Sequence, residues 1–245
     1  MKKAVVITGT NGGLGEALWR KFSAEGYAVI GVGKGGDKHG CDEYIKSDFS
    51  VLAKDEGERK AFKDSFCSIL SSYKLKGLIN NSAVQILGDT SKLSIDSFNE
   101  TLGVNLVVPF FLSQICLKSL EEADGSIVNI GSIHAKLTKK KFVAYATSKG
   151  ALETMTRAMA VDIGSKVRVN LIAPAAIETE MLKEGFLGKD ELYRQLNDFH
   201  PSGKIGTPIE VAELAYNLVD YYSPFLNGSI IDISGGVSSR LHDPV

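Results

Sequence analysis

Tyr145 and Lys149 lie four residues apart in the segment Tyr145-Ala146-Thr147-Ser148-Lys149. Residues at this spacing share one face of a helix, so the phenol and the ammonium can approach each other. A nearby positive charge favours an ionised phenol and lowers its pKa from the usual value of about 10. We therefore expect Tyr145 to exchange a proton with a substrate as a general acid or base. The alternative is an exposed pair of side chains on a helix.

Ser132 follows the short apolar run Ser126–Ile130, which is typical of a buried strand. A serine hydroxyl just beyond a strand can donate a hydrogen bond to the carbonyl oxygen of a substrate. The alternative is a loop or capping serine. The pattern Gly-x-Ser-x-Gly is absent from the sequence, which argues against a hydrolase built on Ser132 and His134.

A glycine-rich turn, Thr8-Gly9-Thr10-Asn11-Gly12-Gly13-Leu14-Gly15, separates the apolar run Ala4–Thr8 from a helical pattern. Glycines permit a tight turn, and the free N–H groups at a helix N-terminus suit the pyrophosphate of a dinucleotide. The spacing Gly-x-x-x-Gly-x-Gly differs from both the common dinucleotide fingerprint and the P-loop. The alternative is a tight connection without a ligand.

The second apolar run, Ala28–Val32, continues into Gly33-Lys34-Gly35-Gly36. A site that holds the ribose 2′-hydroxyl of NAD usually has a carboxylate here. This chain instead offers the charge of Lys34 and glycine N–H groups, which suit a 2′-phosphate. We expect NADP(H) as cofactor, with NAD(H) as the other possibility. The alternative is that Lys34 is a solvated turn residue.

Strand and helix patterns alternate along the chain and must position these groups. The strands are predicted at Ala4–Thr8, Ala28–Val32, Glu43–Ser47, Leu78–Asn81, Ser126–Ile130, Val167–Ile172 and Ser229–Asp232. The helices are predicted at Gly13–Ala24, Val51–Leu70, Ser94–Leu120 with a break around Asn105, Tyr145–Asp162 and Pro208–Asp220. This order predicts an α/β fold, a Rossmann-type doubly wound parallel sheet with helices on both faces, with residues 1–245 as one domain. Functional residues should follow the strands.

Composition excludes several other functions. The 245 residues carry 28 Lys and Arg against 29 Asp and Glu, so the strong basic excess of many nucleic-acid-binding proteins is missing. The three cysteines, Cys41, Cys67 and Cys116, are an odd number without a CxxC, which indicates reduced thiols in a cytoplasmic protein. The four histidines lack the spacing of metal ligands, so no metal is expected. The longest apolar stretch, Leu102–Leu117, is interrupted by polar residues and falls short of a membrane span.

Taken together, the motifs resemble the short-chain dehydrogenase/reductase family over nearly the whole chain. They are the glycine-rich turn, Asp48, Asn80-Asn81-Ser82-Ala83, Asn105, Ser132, Tyr145 with Lys149, Arg168-Val169-Asn170 with Pro174, and Gly228 with Gly235-Gly236. The resemblance implies a nicotinamide-dependent carbonyl reductase or alcohol dehydrogenase. It assigns proton donation to Tyr145, polarisation of the carbonyl to Ser132, the nicotinamide ribose to Lys149, and support of a proton-relay water to Asn105.

The resemblance also implies a set of cofactor contacts. Asp48 would meet the adenine, Asn81 and its neighbours the adenosine ribose, and Thr179 the nicotinamide carboxamide. The full set is Gly9, Asn11, Gly13, Leu14, Gly15, Lys34, Asp48, Phe49, Asn81, Ser82, Ala83, Tyr145, Lys149, Pro174, Ile177 and Thr179. Three residues depart from the family pattern, because Ala83 and Ala175 replace glycines and Ser234 replaces an aspartate.

Two segments bear on the substrate. The run Lys136-Leu137-Thr138-Lys139-Lys140-Lys141 lies between Ser132 and Tyr145, so it either attracts an anionic substrate or forms a solvated loop. Residues 177–206 follow a predicted strand and form either a substrate lid or two surface helices. A 3-oxoacyl-carrier reductase and a nucleotide-sugar oxidoreductase are alternatives within the enzyme class. A dinucleotide-binding sensor without turnover is the alternative outside it.

A homotetramer or dimer follows from the resemblance alone. Helix Tyr145–Asp162 contains Gly150, which costs about 1 kcal/mol relative to alanine in a helix interior. The sequence therefore predicts close packing of another element against this helix.

Overall fold

A seven-stranded parallel sheet forms the centre of the computed structural model, which describes residues 1–35, 40–164 and 166–241. The strands are β1 (Lys3–Thr8), β2 (Ala28–Gly33), β3 (Glu43–Lys46), β4 (Lys74–Asn80), β5 (Ser126–Ile130), β6 (Arg168–Pro174) and β7 (Ile230–Ile233). Their order is β3-β2-β1-β4-β5-β6-β7. The predicted α/β fold and doubly wound parallel sheet are confirmed. Gly36, His39 and His242 lie outside the described residues.

Nine α-helices flank the sheet in the described part of the chain. They are α1 (Gly13–Ala24), α2 (Phe49–Leu52), α3 (Glu56–Leu70), α4 (Ile95–Leu102), α5 (Val108–Glu121), α6 (Val143–Asp162), α7 (Glu180–Gly185), α8 (Asp190–Asp198) and α9 (Pro208–Asp220). A π-helical turn, Gly103–Val107, joins α4 to α5, and short 3₁₀ turns lie at Ile133–Ala135 and Val237–Ser239.

The strand order reverses at β1, which pairs with β2 on one side and with β4 on the other. Connections from these strands leave on opposite faces, so a crevice opens beyond their carboxyl ends. The glycine-rich turn follows β1, and Asn81 follows β4. The topology therefore brings both predicted cofactor segments to this crevice.

Successive residues of β1 bury their side chains in different apolar layers. Ala4 and Val6 belong to the layer that contains Phe66 of α3 and Leu112 of α5. Val5 and Ile7 belong to the layer formed with α1 and α9. The side chains of these four β1 residues are fully buried. Burial on both faces explains why the strand reads as a continuous apolar run.

The bounds of the strands and helices confirm some predictions and correct others. The predicted bounds of Ser126–Ile130 and Pro208–Asp220 match the structure, and Thr207 and Glu210 form a reciprocal capping box at the start of α9. The single helix predicted at Val51–Leu70 is wrong, because Asp55 caps a new helix by accepting a hydrogen bond from Glu58 N. The break predicted around Asn105 is confirmed as the π-helical turn.

The helical run Ile95–Glu121 is long and apolar enough to cross a membrane by length and composition alone, which corrects the shorter stretch taken from the sequence. Half of its most apolar window is buried inside the protein. Leu112, Cys116 and Leu120 are fully buried in the layer beside the sheet. A core helix of this kind passes the same test of length and composition, so the run is weak evidence for a membrane span.

A chain of buried polar side chains ties α6 to the sheet. Asn80 Nδ2 donates to Asn129 Oδ1 at 2.8 Å, and Asn129 Nδ2 donates to Thr156 Oγ1 at 2.9 Å. These residues belong to β4, β5 and α6 in turn. Because hydrogen-bonded buried networks specify a single arrangement, this chain fixes α6, and the side chains at its start, against the carboxyl ends of the strands.

Candidate active site

Lys149 lies in the second turn of α6 and is 2% exposed. Its Nζ donates a hydrogen bond to the main-chain oxygen of Ile130, the last residue of β5, at 2.8 Å. The same Nζ lies 5.6 Å from the centroid of the Tyr145 ring. The two groups therefore meet on one side of α6, as their spacing predicts.

The pKa of Tyr145 corrects the sequence-based expectation. Burial raises the pKa of this phenol, and a hydrogen bond with the Ser132 side chain opposes that rise. The expected lowering by the Lys149 charge is not what the structure shows. Desolvation of the phenolate is the largest influence, because burial disfavours the charged form of a phenol.

Lys149 is itself desolvated, and burial lowers its pKa from 10.5 to about 8. The ammonium donates one N–H to the main-chain oxygen of Ile130, and its other two N–H bonds have no acceptor among the residues that the structure describes. A lysine has three donors and no acceptor. The open donors make Lys149 suited to hold hydroxyl groups of a ligand beside Tyr145.

Ser132 reaches Tyr145 from the end of β5. Its Oγ accepts a hydrogen bond from His134 N at 3.2 Å and so caps the 3₁₀ turn Ile133–Ala135. The same side chain lies close enough to the phenol of Tyr145 to lower its pKa. The serine is therefore a cap and a partner of the phenol at once, so the two readings of the sequence are compatible.

Asn105 lies in the π-helical turn and is 1% exposed. Its Nδ2 donates to Val84 O and Ser148 Oγ, and its Oδ1 accepts from Val84 N at 2.8 Å. Both N–H bonds of the amide are thus used to hold the chain after β4 against α6. The side-chain amide therefore has no free N–H to offer to a water molecule.

His134 and Phe142 form an aromatic wall beside Tyr145. Their rings are stacked at 4.5 Å between centroids, and the His134 ring meets Tyr145 edge-on at 5.9 Å. Burial, together with the charge of Lys139, lowers the pKa of His134 to about 4, so the imidazole is neutral. Neither His134 nor Phe142 was predicted from the sequence to belong to this site. Their positions, two residues after Ser132 and three before Tyr145, are the signal that places them there.

The glycine-rich turn has the shape of an anion-binding loop. Gly9 has a φ of +72°, and a Cβ at Gly15 would collide with the Gly9 carbonyl oxygen. At Gly12 and Gly13, by contrast, an added Cβ would meet nothing closer than 3.8 Å, so the crest of the turn is open. No side chain caps the first N–H groups of α1. Open backbone donors at the end of a twelve-residue helix fit the pyrophosphate of a dinucleotide.

The segment after β4 closes one side of this turn. Thr8 Oγ1 accepts hydrogen bonds from the N–H groups of Asn81 and Ser82, both at 2.9 Å, and Asn81 Nδ2 donates to Thr8 O at 2.9 Å. Among the described non-glycine residues, Asp124 and Lys141 alone have a positive φ. Ala83 and Ala175 therefore replace the family's glycines without left-handed strain.

Lys34 and Asp48 form an ion pair at 2.9 Å at the far side of the turn. The Lys34 side chain is 79% exposed. Asp48 also caps α2 by accepting from Ser50 N. Hydrogen bonds from Ser50 and Lys34 hold the pKa of the Asp48 carboxyl below its usual value. Phe49 is buried in the core, which leaves only its main chain to meet a cofactor.

Tyr44 of β3 is a further residue beside the glycine-rich turn, and it was not predicted from the sequence. Asn11 Nδ2 donates to Tyr44 Oη at 3.5 Å, and a Cβ at Gly33 would lie 3.2 Å from the same oxygen. A lone tyrosine in a short polar strand carries no motif. Only the pairing of β3 with β2 places it next to the glycine-rich turn.

Residues 177–206 form a segment whose two ends lie side by side. Ile177 bridges to Gly206, and Gly206 N donates to Ala176 O at 2.9 Å, so the ends of the segment are tied together just beyond Pro174. Thr179 caps α7 by accepting from Leu182 N at 3.3 Å. A Cβ on Gly13 would lie 3.8 Å from Thr179, so the segment begins against the glycine-rich turn.

The lysine run lies beside the aromatic wall. Lys139 Nζ is 4.7 Å from the centroid of Phe142. Burial, together with the charge of Lys189 at the start of α8, lowers the pKa of Lys139. Lys136 pairs with Asp232 at 3.5 Å. Lys139 makes no such ion pair within the described residues, so one cation at the mouth is without a carboxylate partner.

Gly150 corrects one expectation. Inside this chain, a Cβ added at Gly150 would meet only Ala135 O, at 3.8 Å, which is ordinary contact. The close packing predicted around this glycine is therefore not found within the described residues of one chain. No cluster of histidine, cysteine or acidic side chains in that part of the protein has the arrangement of a metal site.

Known proteins resemble this chain along its whole length. The family described as Enoyl-(Acyl carrier protein) reductase matches residues 9–238. The meso-2,3-butanediol dehydrogenase of Serratia marcescens is 30% identical over 248 residues, covering 99% of this chain and 97% of that protein.

Two solved structures share both the fold and part of the sequence. Aldohexose dehydrogenase of Thermoplasma acidophilum, in ligand-free form, matches with a TM-score of 0.90 and 26% identity over 100% of this chain and 97% of that one. A 4-hydroxyisoleucine dehydrogenase complexed with NADH matches with a TM-score of 0.85 and 28% identity over 98% and 100%. The chain therefore belongs to the short-chain dehydrogenase/reductase family of oxidoreductases.

Proposed function

We propose that this protein interconverts a small-molecule ketone or aldehyde and the corresponding alcohol, with NADP(H) as the cofactor and Tyr145 as the proton donor and acceptor. The observation that carries the proposal is the grouping of Ser132 and Tyr145 beside the buried Lys149, whose Nζ lies 5.6 Å from the centroid of the Tyr145 ring. A protein that only sensed a dinucleotide would have no need of a desolvated phenol next to a polarising hydroxyl. The family also consists of dehydrogenases and reductases, which favours the enzyme over the sensor.

The nicotinamide dinucleotide, when bound, supplies or accepts the hydride. In the direction of reduction, the phenolic O–H of Tyr145 donates a proton to the carbonyl oxygen, which becomes the alcohol hydroxyl. The hydroxyl of Ser132 donates a hydrogen bond to the same oxygen and stabilises its developing negative charge. The two open N–H bonds of Lys149 would hold ribose hydroxyls of the cofactor. The aromatic wall of His134 and Phe142 excludes water from the phenol.

The other contacts of the cofactor are assigned by position. The backbone of Gly13, Leu14 and Gly15 would hold the pyrophosphate. Asn11 and Asp48 would flank the adenosine, with Asn81, Ser82 and Ala83 on its ribose. Pro174, Ile177 and Thr179 would meet the nicotinamide end. Because these segments surround one crevice, a single extended dinucleotide can reach all of them.

Lys34 supports the choice of NADP(H). It follows β2, where a carboxylate would repel a 2′-phosphate, and its side chain is mostly exposed. Its present partner, Asp48, is a surface carboxylate, and such pairs are weak in water. A 2′-phosphate carries more charge than a carboxylate and would draw Lys34 away from Asp48.

An anionic substrate is favoured by the charges at the mouth. Lys139 stands over Phe142, and its depressed pKa includes the repulsion of Lys189 from the segment 177–206. An anion between them would relieve this repulsion and bring the segment down as a lid. A carrier-bound 3-oxoacyl group and a nucleotide-linked sugar both fit that description. We also propose that the enzyme is cytoplasmic and homo-oligomeric, with Phe110 and Val161 among the exposed apolar residues of α5 and α6.

The direct test is NADPH oxidation at 340 nm (the absorbance of the reduced nicotinamide) with a panel of ketones, 3-oxoacyl thioesters and nucleotide-linked ketosugars. The proposal is supported if the wild type reduces an anionic carbonyl compound of this panel and the Tyr145→Phe variant does not. Binding of NADPH without turnover of any carbonyl compound or alcohol supports the sensor instead.

A further inference from the structure

Arg168 is the first residue of β6, and its side chain ends at the edge of the sheet opposite the candidate active site. The residue is 4% exposed. Among the described residues, its one hydrogen bond runs from Nη2 to Val219 O, and at 3.5 Å this bond is long and weak. Nε and Nη1 are buried, and neither has an acceptor in the part of the chain that the structure describes. These two atoms carry three of the five N–H bonds of the guanidinium, and all three are unsatisfied there.

A buried guanidinium without an anionic partner is costly, because it loses its hydration and gains no counter-charge. Arg168 makes no ion pair within 4.0 Å among the described residues. Burial lowers its pKa, which reports the same desolvation. Glu121 pairs with Lys166 at 3.2 Å, and Asp124, which lines the same cavity as Arg168, forms no ion pair with the guanidinium.

A small cavity lies against this group. It has a volume of about 10 Å³, room for one water-sized group, and is lined by Asp124, Gly125, Gly164, Lys166, Arg168, Tyr222 and Pro224. Lys166 and Tyr222 at its rim are both mostly exposed, so the opening faces solvent. Lys76 lies nearby, with Nζ on Ala123 O at 2.7 Å. Positive charge thus predominates around the cavity.

We propose that this cavity is an oxyanion site, in which one oxygen of a phosphate or carboxylate group enters to meet Arg168 and the rest of the group stays at the mouth beside Lys166. A water in the cavity would accept two hydrogen bonds but would bring no charge to the guanidinium. An oxyanion supplies both. The site is separate from the catalytic crevice, because β6 runs from Arg168 at one edge of the sheet to Pro174 at the other.

The test uses inorganic phosphate and, separately, acetate as probes, with thermal unfolding of the full chain as the readout at constant ionic strength. We expect the melting temperature to rise with the concentration of the probe and then to level off, since a ligand that binds the native state stabilises that state. Comparison of the two probes shows whether the site takes phosphate or carboxylate. Arg168→Met removes the charge at nearly constant volume and should weaken binding about tenfold. Phosphate that binds at the glycine-rich turn, and general stabilisation by excluded salt, should affect the wild type and Arg168→Met equally. The difference between the two proteins therefore reports binding at Arg168 alone.

Two exposed variants keep the test decisive if Arg168→Met does not fold. Asp124→Asn removes a negative charge from the lining and should tighten binding, and asparagine tolerates the φ of +51° at this position. Lys166→Gln should weaken binding. The proposal is overturned if neither probe gives a saturating rise, or if the foldable variants respond as the wild type does.

Discussion

The ammonium of Lys149 donates to the main-chain oxygen of Ile130 at 2.8 Å, so the end of β5 holds the lysine directly behind the phenol of Tyr145. This contact joins the strand that ends near Ser132 to the helix that carries Tyr145. The strand and the helix therefore position all three side chains together. The same contact explains how a lysine that is 2% exposed keeps a fixed orientation.

Burial of Lys149 predicts a pH-dependent stability. Its folded pKa of about 8 lies below the ordinary value of 10.5, so the charged lysine destabilises the fold at neutral pH. As the pH rises from 8 to 10.5, the folded protein loses this proton first, and the penalty disappears. Relative to Lys149→Met, the wild type should gain about 3 kcal/mol of unfolding free energy over this range, at 1.36 kcal/mol for each pKa unit.

Urea unfolding of both proteins without cofactor at several pH values measures this difference. Groups common to the two proteins cancel in the subtraction. Lys118→Met on the surface of α5 is the matched control, and we expect its difference from the wild type to stay constant with pH. A constant difference for Lys149→Met as well would show that the ammonium is not desolvated.

Lys34→Ala should separate the two cofactors. Loss of the charge that meets the 2′-phosphate should weaken NADPH binding about tenfold, the value of one hydrogen bond to a charged group. NADH lacks this phosphate, so its dissociation constant should not change. Fluorescence titration of the reduced nicotinamide measures both constants.

Lys118→Ala again controls for the loss of a surface charge. A wild type that binds NADH more tightly than NADPH, or a Lys34→Ala variant that weakens both equally, would contradict the assignment of Lys34 to the 2′-phosphate.

Neutralising Lys139, Lys140 and Lys141 to glutamine should raise KM for an anionic substrate several-fold and make KM less dependent on salt, since long-range attraction is screened. The maximal rate should change little, because Tyr145 and Ser132 remain. Steady-state kinetics at two ionic strengths measure this. If KM and its salt dependence do not change, the lysine run does not attract the substrate and is a solvated loop.

The sequence predicted the sheet well because its signals are local. The apolar runs that became β1, β2 and β5 are buried on both faces, and such runs differ clearly from the amphipathic helices between them. The break at Asn105 was also predictable, whereas its π-helical form depends on contacts with Val84 and Ser148 from other elements. The division of Val51–Leu70 into two helices was missed, although Asp55 carried a capping signal.

The candidate site was predictable in its motifs but not in its electrostatics. Spacing placed Tyr145 next to Lys149, yet it gave no measure of burial, and burial reverses the expected direction of the Tyr145 pKa shift. Phe142, His134 and Tyr44 join the site through tertiary packing that no local pattern reports. The pairing of Lys34 with Asp48 likewise depends on the neighbouring positions of β2 and the start of α2.

The most direct measurement of the central claim compares Tyr145→Phe with the wild type in NADPH oxidation and NADPH binding. This variant removes only the hydroxyl, so we expect a loss of turnover of about 10²–10⁴-fold, the contribution of a general acid, with the dissociation constant of NADPH unchanged. Tyr221→Phe, at an exposed position, should be fully active. Turnover by Tyr145→Phe at the wild-type rate would contradict the account.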